Sequence, residues 1–286
     1  MMRPLRSGQS FDASALPTAP LNGETESSRG ACAPGNLAPA ETPDSEIGQL
    51  RLALDRLRRF VPPSLAKLIL GGRDDVLGSH RCDVTVLFLD LRGFTAFAER
   101  AAPEDVMAVL REYHRAVGQL VSRYGGTLER FTGDGMMIFF NDPVPVPDPH
   151  QRAVALALAV HDRVLALMRG WGGRAGELGL GAGISHGSAT IGLIGFEERC
   201  DYAAIGPVTN LAARLCSRAR AGETLVCSRV MSAVAEIVDA EPLGPIQLGG
   251  FRDPVAAFRV LRPKAASCPE AASDLVASGA ALTRGR

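Results

Sequence analysis

Val84–Leu89 reads as one continuous apolar stretch, and it ends on an acid, Asp90. A run of that kind is a buried strand, covered on both faces. From Asp83 onward the pattern is mixed. Pro103–Tyr124 has the spacing of an amphipathic helix. Pro103 sits in its first turn, Glu104 and Asp105 lie at the positive end of its dipole, and Gly125-Gly126 closes it. Two strands, Thr127–Phe131 and Met136–Phe140, flank Thr132-Gly133-Asp134-Gly135, where glycine on both sides of an acid predicts a hairpin turn. A helix from about Pro149 to Arg169 follows, then strands at Leu178–His186 and Ala189–Ile194. A helix over about Pro207–Ala219 and strands at Thr224–Ser228 and Phe258–Leu261 complete the pattern. Helices and strands alternate without a strict βαβ repeat, so the expected class is α+β, in one domain over residues 80–262.

Upstream of that domain, Asp44 or Ser45 can cap a helix. Within it Ile47, Leu50, Leu54, Leu57 and Val61 recur at spacings of 3, 4, 3 and 4, the a/d seam of two heptads, before Pro62-Pro63 interrupts. Two heptads fit a helix packed on its own domain and equally a short parallel coiled coil joining two chains. Residues 44–79 thus read as a signalling or dimerisation helix, a second short helix at Ser64–Leu70, and a linker. Residues 1–43 are rich in Pro, Ala, Ser and Gly and poor in large apolar residues, the composition of a disordered segment, and residues 263–286 read the same way.

Composition removes several classes of function. Lys plus Arg is 31 and Asp plus Glu is 31, and a formal net charge of zero disfavours a nucleic-acid binder. The longest apolar run, Ala153–Val160, has eight residues; a membrane span needs about 20. Arg3 and Arg6 precede no apolar stretch, so no secretory signal is expected. Six scattered cysteines without a C-x-x-C pair read as reduced thiols of a cytoplasmic protein. Five histidines fall in no metal-binding spacing, which argues against a zinc hydrolase.

Three units carry chemistry. In Leu87-Phe88-Leu89-Asp90-Leu91-Arg92-Gly93-Phe94-Thr95, an acid ends the apolar strand before a glycine turn into a helix. Asp90 there is either a helix cap or a carboxylate that needs a metal or a partner. Free N–H groups at the helix start suit a phosphate. Asp134 in the second unit, Thr132-Gly133-Asp134-Gly135, taken alone is a plain turn residue. Together, Asp90 and Asp134 on adjacent strands suit a pair of divalent ions that activate an oxygen nucleophile beside a phosphate. In the third unit, Asp201–Leu215, Asn210 and Arg214 are i and i+4 on one helix face, an amide beside a guanidinium, which suits a sugar oxygen and a phosphate.

The units read F-x-D-L-x-G-F-T, F-x-G-D-G and I-G-x-x-x-N-x-A-A-R-L. In that order and rough spacing they resemble the class III nucleotidyl cyclase catalytic domain, the adenylate and guanylate cyclase family, over about Asp83 to Val260. Each motif alone is weak, and the ordered set is specific. The resemblance implies a ferredoxin-like α+β domain with a mixed, mostly antiparallel sheet, working as a head-to-tail homodimer with active sites at the interface. It implies that Asp90 and Asp134 bind two divalent cations, Mg²⁺ or Mn²⁺, with the Leu91 carbonyl as a further ligand. The backbone of Gly93, Phe94 and Thr95 would cradle the triphosphate. Asn210 would position the ribose, and Arg214 would stabilise charge on the α-phosphate, both from the partner chain. The implied reaction is attack of the ribose 3′-hydroxyl on the α-phosphate of ATP, giving cyclic AMP and pyrophosphate.

Three positions depart from the family pattern. Arg130 stands where adenylate cyclases usually carry a base-reading Lys. Ala203 stands where they carry Asp or Thr and guanylate cyclases Cys. Gly249 stands where a phosphate-binding Lys is common, with Arg252 nearby in sequence. Glu129 is offset by one from the reader position and Cys200 by three from Ala203, so a guanine-reading Glu/Cys pair is absent and ATP is the expected substrate. A guanylate or dual-specificity cyclase and a catalytically degenerate signalling module are the alternatives. No sensor domain is visible, which leaves an upstream sensor partner open.

Overall fold

The computed structural model describes residues 46–171 and 178–264. The caps at Asp44 or Ser45, the segment 1–43, the tail beyond Lys264, Cys32 and Cys268 lie outside the described residues. The chain divides between Gln49 and Leu50 into two units, and only the start of helix α1 (Glu46–Leu57) is described in the first.

Helix α1 is shorter than its heptad pattern predicts. Arg58–Phe60 tightens into a 3₁₀ turn, and Val61 is extended (φ −122°, ψ 142°), so Val61 leaves the seam. The cause is local: the ring of Pro62 excludes helical geometry from the residue before it. Pro63 then opens α2 (Pro63–Leu70), which Gly71 caps. Leu50, Leu54 and Leu57 remain exposed.

The remaining elements are β1 (His80–Arg92), α3 (Phe94–Arg100), α4 (Pro103–Tyr124), β2 (Thr127–Thr132), β3 (Gly135–Phe140), α5 (Pro149–Trp171), β4 (Gly179–Phe196), β5 (Arg199–Ile205), α6 (Pro207–Arg218), β6 (Glu223–Cys227), α7 (Ser228–Val234), β7 (Val238–Ile246) and β8 (Val255–Pro263). The strands form one sheet in the order β2-β3-β1-β4-β6-β8-β7, with β5 also paired to β4. Among the described pairings only β4–β6 is parallel. This is the expected α+β class.

Alternation along β1 and β3 explains the apolar runs. Leu87, Leu89, Leu91, Ile138 and Phe140 face a core shared with α4 and α5. Val84, Val86, Met137 and Phe139 face the opposite way, onto a second core with Leu65, Tyr202, Ala204, Val208 and Ala212. Both faces of the strand pair are therefore dry, at about 1.5–3 kcal/mol for each fully buried large aliphatic side chain.

Two expectations need correction. The strands expected at 178–186 and 189–194 are one strand, because Gly187 and Ser188 pair with Val84 and Asp83 rather than turning. Strand β8 runs to Pro263, one residue past the expected domain edge. Strands β5 and β7 and helix α7 are additions to the expected pattern. No helix among the described residues is long and apolar enough to cross a membrane. Cys82, Cys200, Cys216 and Cys227 are free thiols, as expected.

Candidate active site

The β1–β3 register runs to Leu89 opposite Met136, which sets the tip of the β2–β3 hairpin beside Asp90. Gly133 turns the hairpin with φ 75°. Gly135 must lack a side chain: a Cβ there would collide with Thr132 Oγ1 and lie 3.5 Å from Asp90 Oδ1. The tip thus closes onto β1 and brings the Asp134 carboxyl near enough to Asp90 to feel its charge.

Burial is the main influence that raises the Asp134 carboxyl above the usual range, and the negative charge of Asp90 adds to it. Its own N–H and that of Leu91 pull the other way without cancelling the rise. Beneath the pair, the hydroxyl of Tyr113 on α4 is fully buried without a hydrogen-bond partner, and it too is raised, first by burial and then by Asp134 and Asp90. Two mutually repelling oxygen donors over an orphaned hydroxyl fit hard divalent cations such as Mg²⁺ or Mn²⁺.

Arg92 supplies the local positive charge. Its Nη1 donates to Asp90 Oδ2, its Nη2 to the Cys216 carbonyl, and its Nε to the Ala219 carbonyl at 2.9 Å. Those carbonyls belong to the C-terminal end of α6, where a cation is favoured by the dipole. Arg92 lies flat over Gly181, whose missing side chain would otherwise fall 2.6 Å from its Nε. One guanidinium therefore ties Asp90 to α6.

Helix α6 buries Val208, Ala212, Leu215 and Cys216. It sits so close to β4 that a Cβ on Gly183 would collide with the Cys216 nitrogen and the Ala212 carbonyl. Packing of that face turns Asn210 and Arg214 outward, and both are exposed. Gly93 takes φ 82° at the start of α3, which places Phe94 and Thr95 in its first turn, beside Asp90 in sequence.

The positions expected to read the base, Arg130 and Ala203, are linked by a residue that the expectation left out. Strand β2 carries a bulge between Leu128 and Arg130. Leu128 faces the α4 core, while Arg130 pairs with Met137 of the opposite core. The extra residue, Glu129, is 0% exposed at its side chain, while Arg130 is 48% exposed. Glu129 Oε1 accepts from Arg130 Nε at 2.9 Å and from its Nη2; Oε2 accepts from the Ala204 N–H at 3.1 Å. Taking a carboxylate out of water costs several kcal/mol, so these partners are a condition of folding this way. The bonds bring Arg130 and the Ala203–Ala204 peptide together. Gly249 lies in a turn after β7, and a side chain there would meet open space.

Asp90, Leu91 and Asp134 thus meet at one end of β1, and Arg130 and Ala203 meet through Glu129. Asn210 and Arg214 share the outer face of α6. Sequence reasoning missed Arg92, Tyr113 and the role of Glu129. Arg92 stands inside the first motif, and only its bonds mark it; Glu129 is hidden by a bulge that side-chain alternation does not reveal. A cavity of about 360 Å³ opens at the far end of β1, beside His80, Asp142 and Tyr202, and is lined by none of the residues singled out from sequence.

The family model described as the adenylate and guanylate cyclase catalytic domain matches residues 78–261. The chain belongs to this family. Among curated relatives of the cyclase domain, adenylate cyclase 1 of Rhizobium meliloti is 30% identical over 221 residues, covering 75% of this chain and 33% of that protein. An adenylate cyclase of Anabaena cylindrica is 28% identical, covering 59% of this chain and 34% of that protein. The chain spans about a third of the length of these relatives. Among solved cyclases, the adenylyl cyclase CyaB from P. aeruginosa superimposes with a TM-score of 0.64 at 32% identity, covering 66% of this chain and 98% of that one. The guanylyl cyclase Cya2 gives 0.62 at 30% identity, covering 67% and 98%. The ferredoxin-like cyclase fold expected from the motifs is therefore the observed one.

Proposed function

We propose that this chain is a homodimeric class III adenylate cyclase that converts ATP to cyclic AMP and pyrophosphate. The observation that carries the reading is the convergence of Asp90 on β1 with Asp134 in the β2–β3 turn, at one end of β1. Residues 80–262 form the catalytic domain, and residues 44–79 serve as a signalling or dimerisation helix with its linker.

Asp90, Asp134 and the Leu91 carbonyl would hold two divalent cations, which when bound neutralise the triphosphate and acidify the ribose 3′-hydroxyl. The first turn of α3 at Gly93–Thr95 receives phosphate oxygens. Arg92, bonded to Asp90 and to the end of α6, holds the Asp90 carboxylate in place. Asn210 holds the ribose oxygen, and Arg214 meets the charge that builds on the α-phosphate. Both stand exposed on α6, as groups serving a site completed by a second chain would. Arg130 donates to the base.

ATP is favoured because the guanine-reading Glu/Cys pair is absent and the two curated relatives carry the name adenylate cyclase. A guanylate or dual-specificity reading has two observations in its favour: Ala203 offers no polar side chain to the base, and a guanylyl cyclase is nearly as similar in structure. The test is release of pyrophosphate from ATP with Mg²⁺ or Mn²⁺. The expected result is release that requires the metal and is abolished by Asp90→Ala or Asp134→Ala. Nucleotide binding by the wild type without any release would instead favour a degenerate signalling module.

A further inference from the structure

We infer that Glu129 is a positioning residue for base selection, holding Arg130 and the Ala203–Ala204 peptide in a single arrangement that favours adenine. The inference rests on the reading of Arg130 and Ala203 as base-pocket positions.

The β2 bulge puts two consecutive residues on one face of the sheet. Glu129 fills the inner position, with its side chain wholly buried, and Arg130 the outer one, half-exposed. Neither carboxylate oxygen is idle. One takes two N–H groups of Arg130, and the other takes the backbone N–H of Ala204. The guanidinium is planar and is gripped through Nε and Nη2, which restrains its plane and leaves Nη1 outside the grip as a donor.

A fixed donor discriminates where a mobile one does not. Adenine N1 accepts a hydrogen bond; guanine N1 carries a hydrogen, and its nearest acceptor is the exocyclic O6. A donor held opposite the ring nitrogen pairs with adenine and meets the N–H of guanine. A donor free to swing reaches O6 as well. Ala203 adds no polar side chain, so the placement of this one donor carries the discrimination that a two-residue reader would otherwise share. Glu129 is too buried to touch the base. It acts through Arg130 and through the strand at Ala204.

The experiment compares the wild-type chain, Glu129→Gln and Glu129→Asp. Equilibrium binding of ATP and of GTP is measured directly, together with kcat and KM for each, and folding is checked by thermal melting. Gln keeps the shape and an acceptor for the Ala204 N–H but loses the charge that grips Arg130. The expected result is a wild type that prefers ATP, and a Glu129→Gln protein whose ATP:GTP affinity ratio falls by about tenfold or more. The fall appears in Kd and KM more than in kcat, and Glu129→Asp, which keeps the charge, loses less. A folded Glu129→Gln with the wild-type ratio overturns the inference, even if its rate is lower. If Gln does not fold, Asp carries the test on the same criterion. If neither folds, Glu129 serves stability alone and the inference is overturned. A wild type without ATP preference overturns it too. Because the ratio is read from binding, a wild type that selects ATP but makes no cyclic nucleotide overturns the proposed activity and leaves this inference standing; one that binds neither nucleotide overturns both.

Discussion

The hairpin tip brings Asp90 and Asp134 together, and the Asp134 carboxyl is raised first by its burial there and then by the charge of Asp90. A carboxyl raised in the folded state contributes stability below its ordinary pKa, and that contribution is lost as pH rises through the raised value. Without divalent ions, ionised Asp134 is therefore less favourable in the folded chain than its neutral form. Asp134→Asn is expected to raise the metal-free melting temperature while removing divalent-ion binding, both read by thermal melts with and without Mn²⁺. An unchanged or lower melting temperature would contradict a penalty for burying the Asp134 charge beside Asp90. Gly249 offers the opposite kind of change, a gain. Its missing Cβ faces open space, so Gly249→Lys is tolerated sterically. An exposed ion contact worth roughly 0.5–1 kcal/mol should lower KM for ATP by about two- to fivefold, with the stability unchanged. At this scale the motif acids were legible in the sequence, because each is a charge at the end of an apolar strand or between glycines. Arg92 and Glu129 were not. Their roles lie in whom they touch, and their partners sit up to 127 residues away in the chain.

At the scale of elements, α6 is the piece on which the site depends most. Its distance from β4 is set by Gly183, which has no room for a methyl group against the Cys216 nitrogen and the Ala212 carbonyl. Gly183→Ala should cost at least about 1–3 kcal/mol, because the obstruction is backbone and cannot rotate away. It should also depress kcat in the surviving fold, since Asn210 and Arg214 ride on the displaced helix; denaturant melts and steady-state kinetics read the two effects. The elements legible from sequence were those with a clean period or a clear stop. Helix α4 opens on Pro103 and closes on Gly125, and its expected bounds stand as written. Strand β1 was legible through its two buried faces. Strand β7 was not, because Pro242, Gly244 and Pro245 read as a loop; it lies at the edge of the sheet, where proline is tolerated. Strand β5 begins with three exposed residues and shows no alternation there. Gly187-Ser188 looked like a break in β4, yet pairing with β1 carries the strand straight through it.

For the whole molecule, the proposed reading makes each active site the joint property of two chains. Asp90 and Asp134 would come from one protomer, Asn210 and Arg214 from the other. Arg214→Ala should lower kcat by about 10²–10³-fold, the usual effect of losing a transition-state donor. Mixed with Asp90→Ala, it should recover part of the activity, since a hybrid dimer keeps one intact site. Absence of recovery at every mixing ratio, with subunit exchange verified, would contradict shared sites. The central claim is the reaction itself, and separation of products tests it most directly. The purified protein is incubated with ATP and, separately, with GTP, in Mg²⁺ or Mn²⁺, and cyclic AMP and cyclic GMP are resolved by chromatography. Cyclic AMP from ATP with little or no cyclic GMP from GTP is the expected result; cyclic GMP as the main product, or neither product from an intact dimer, would overturn an adenylate cyclase.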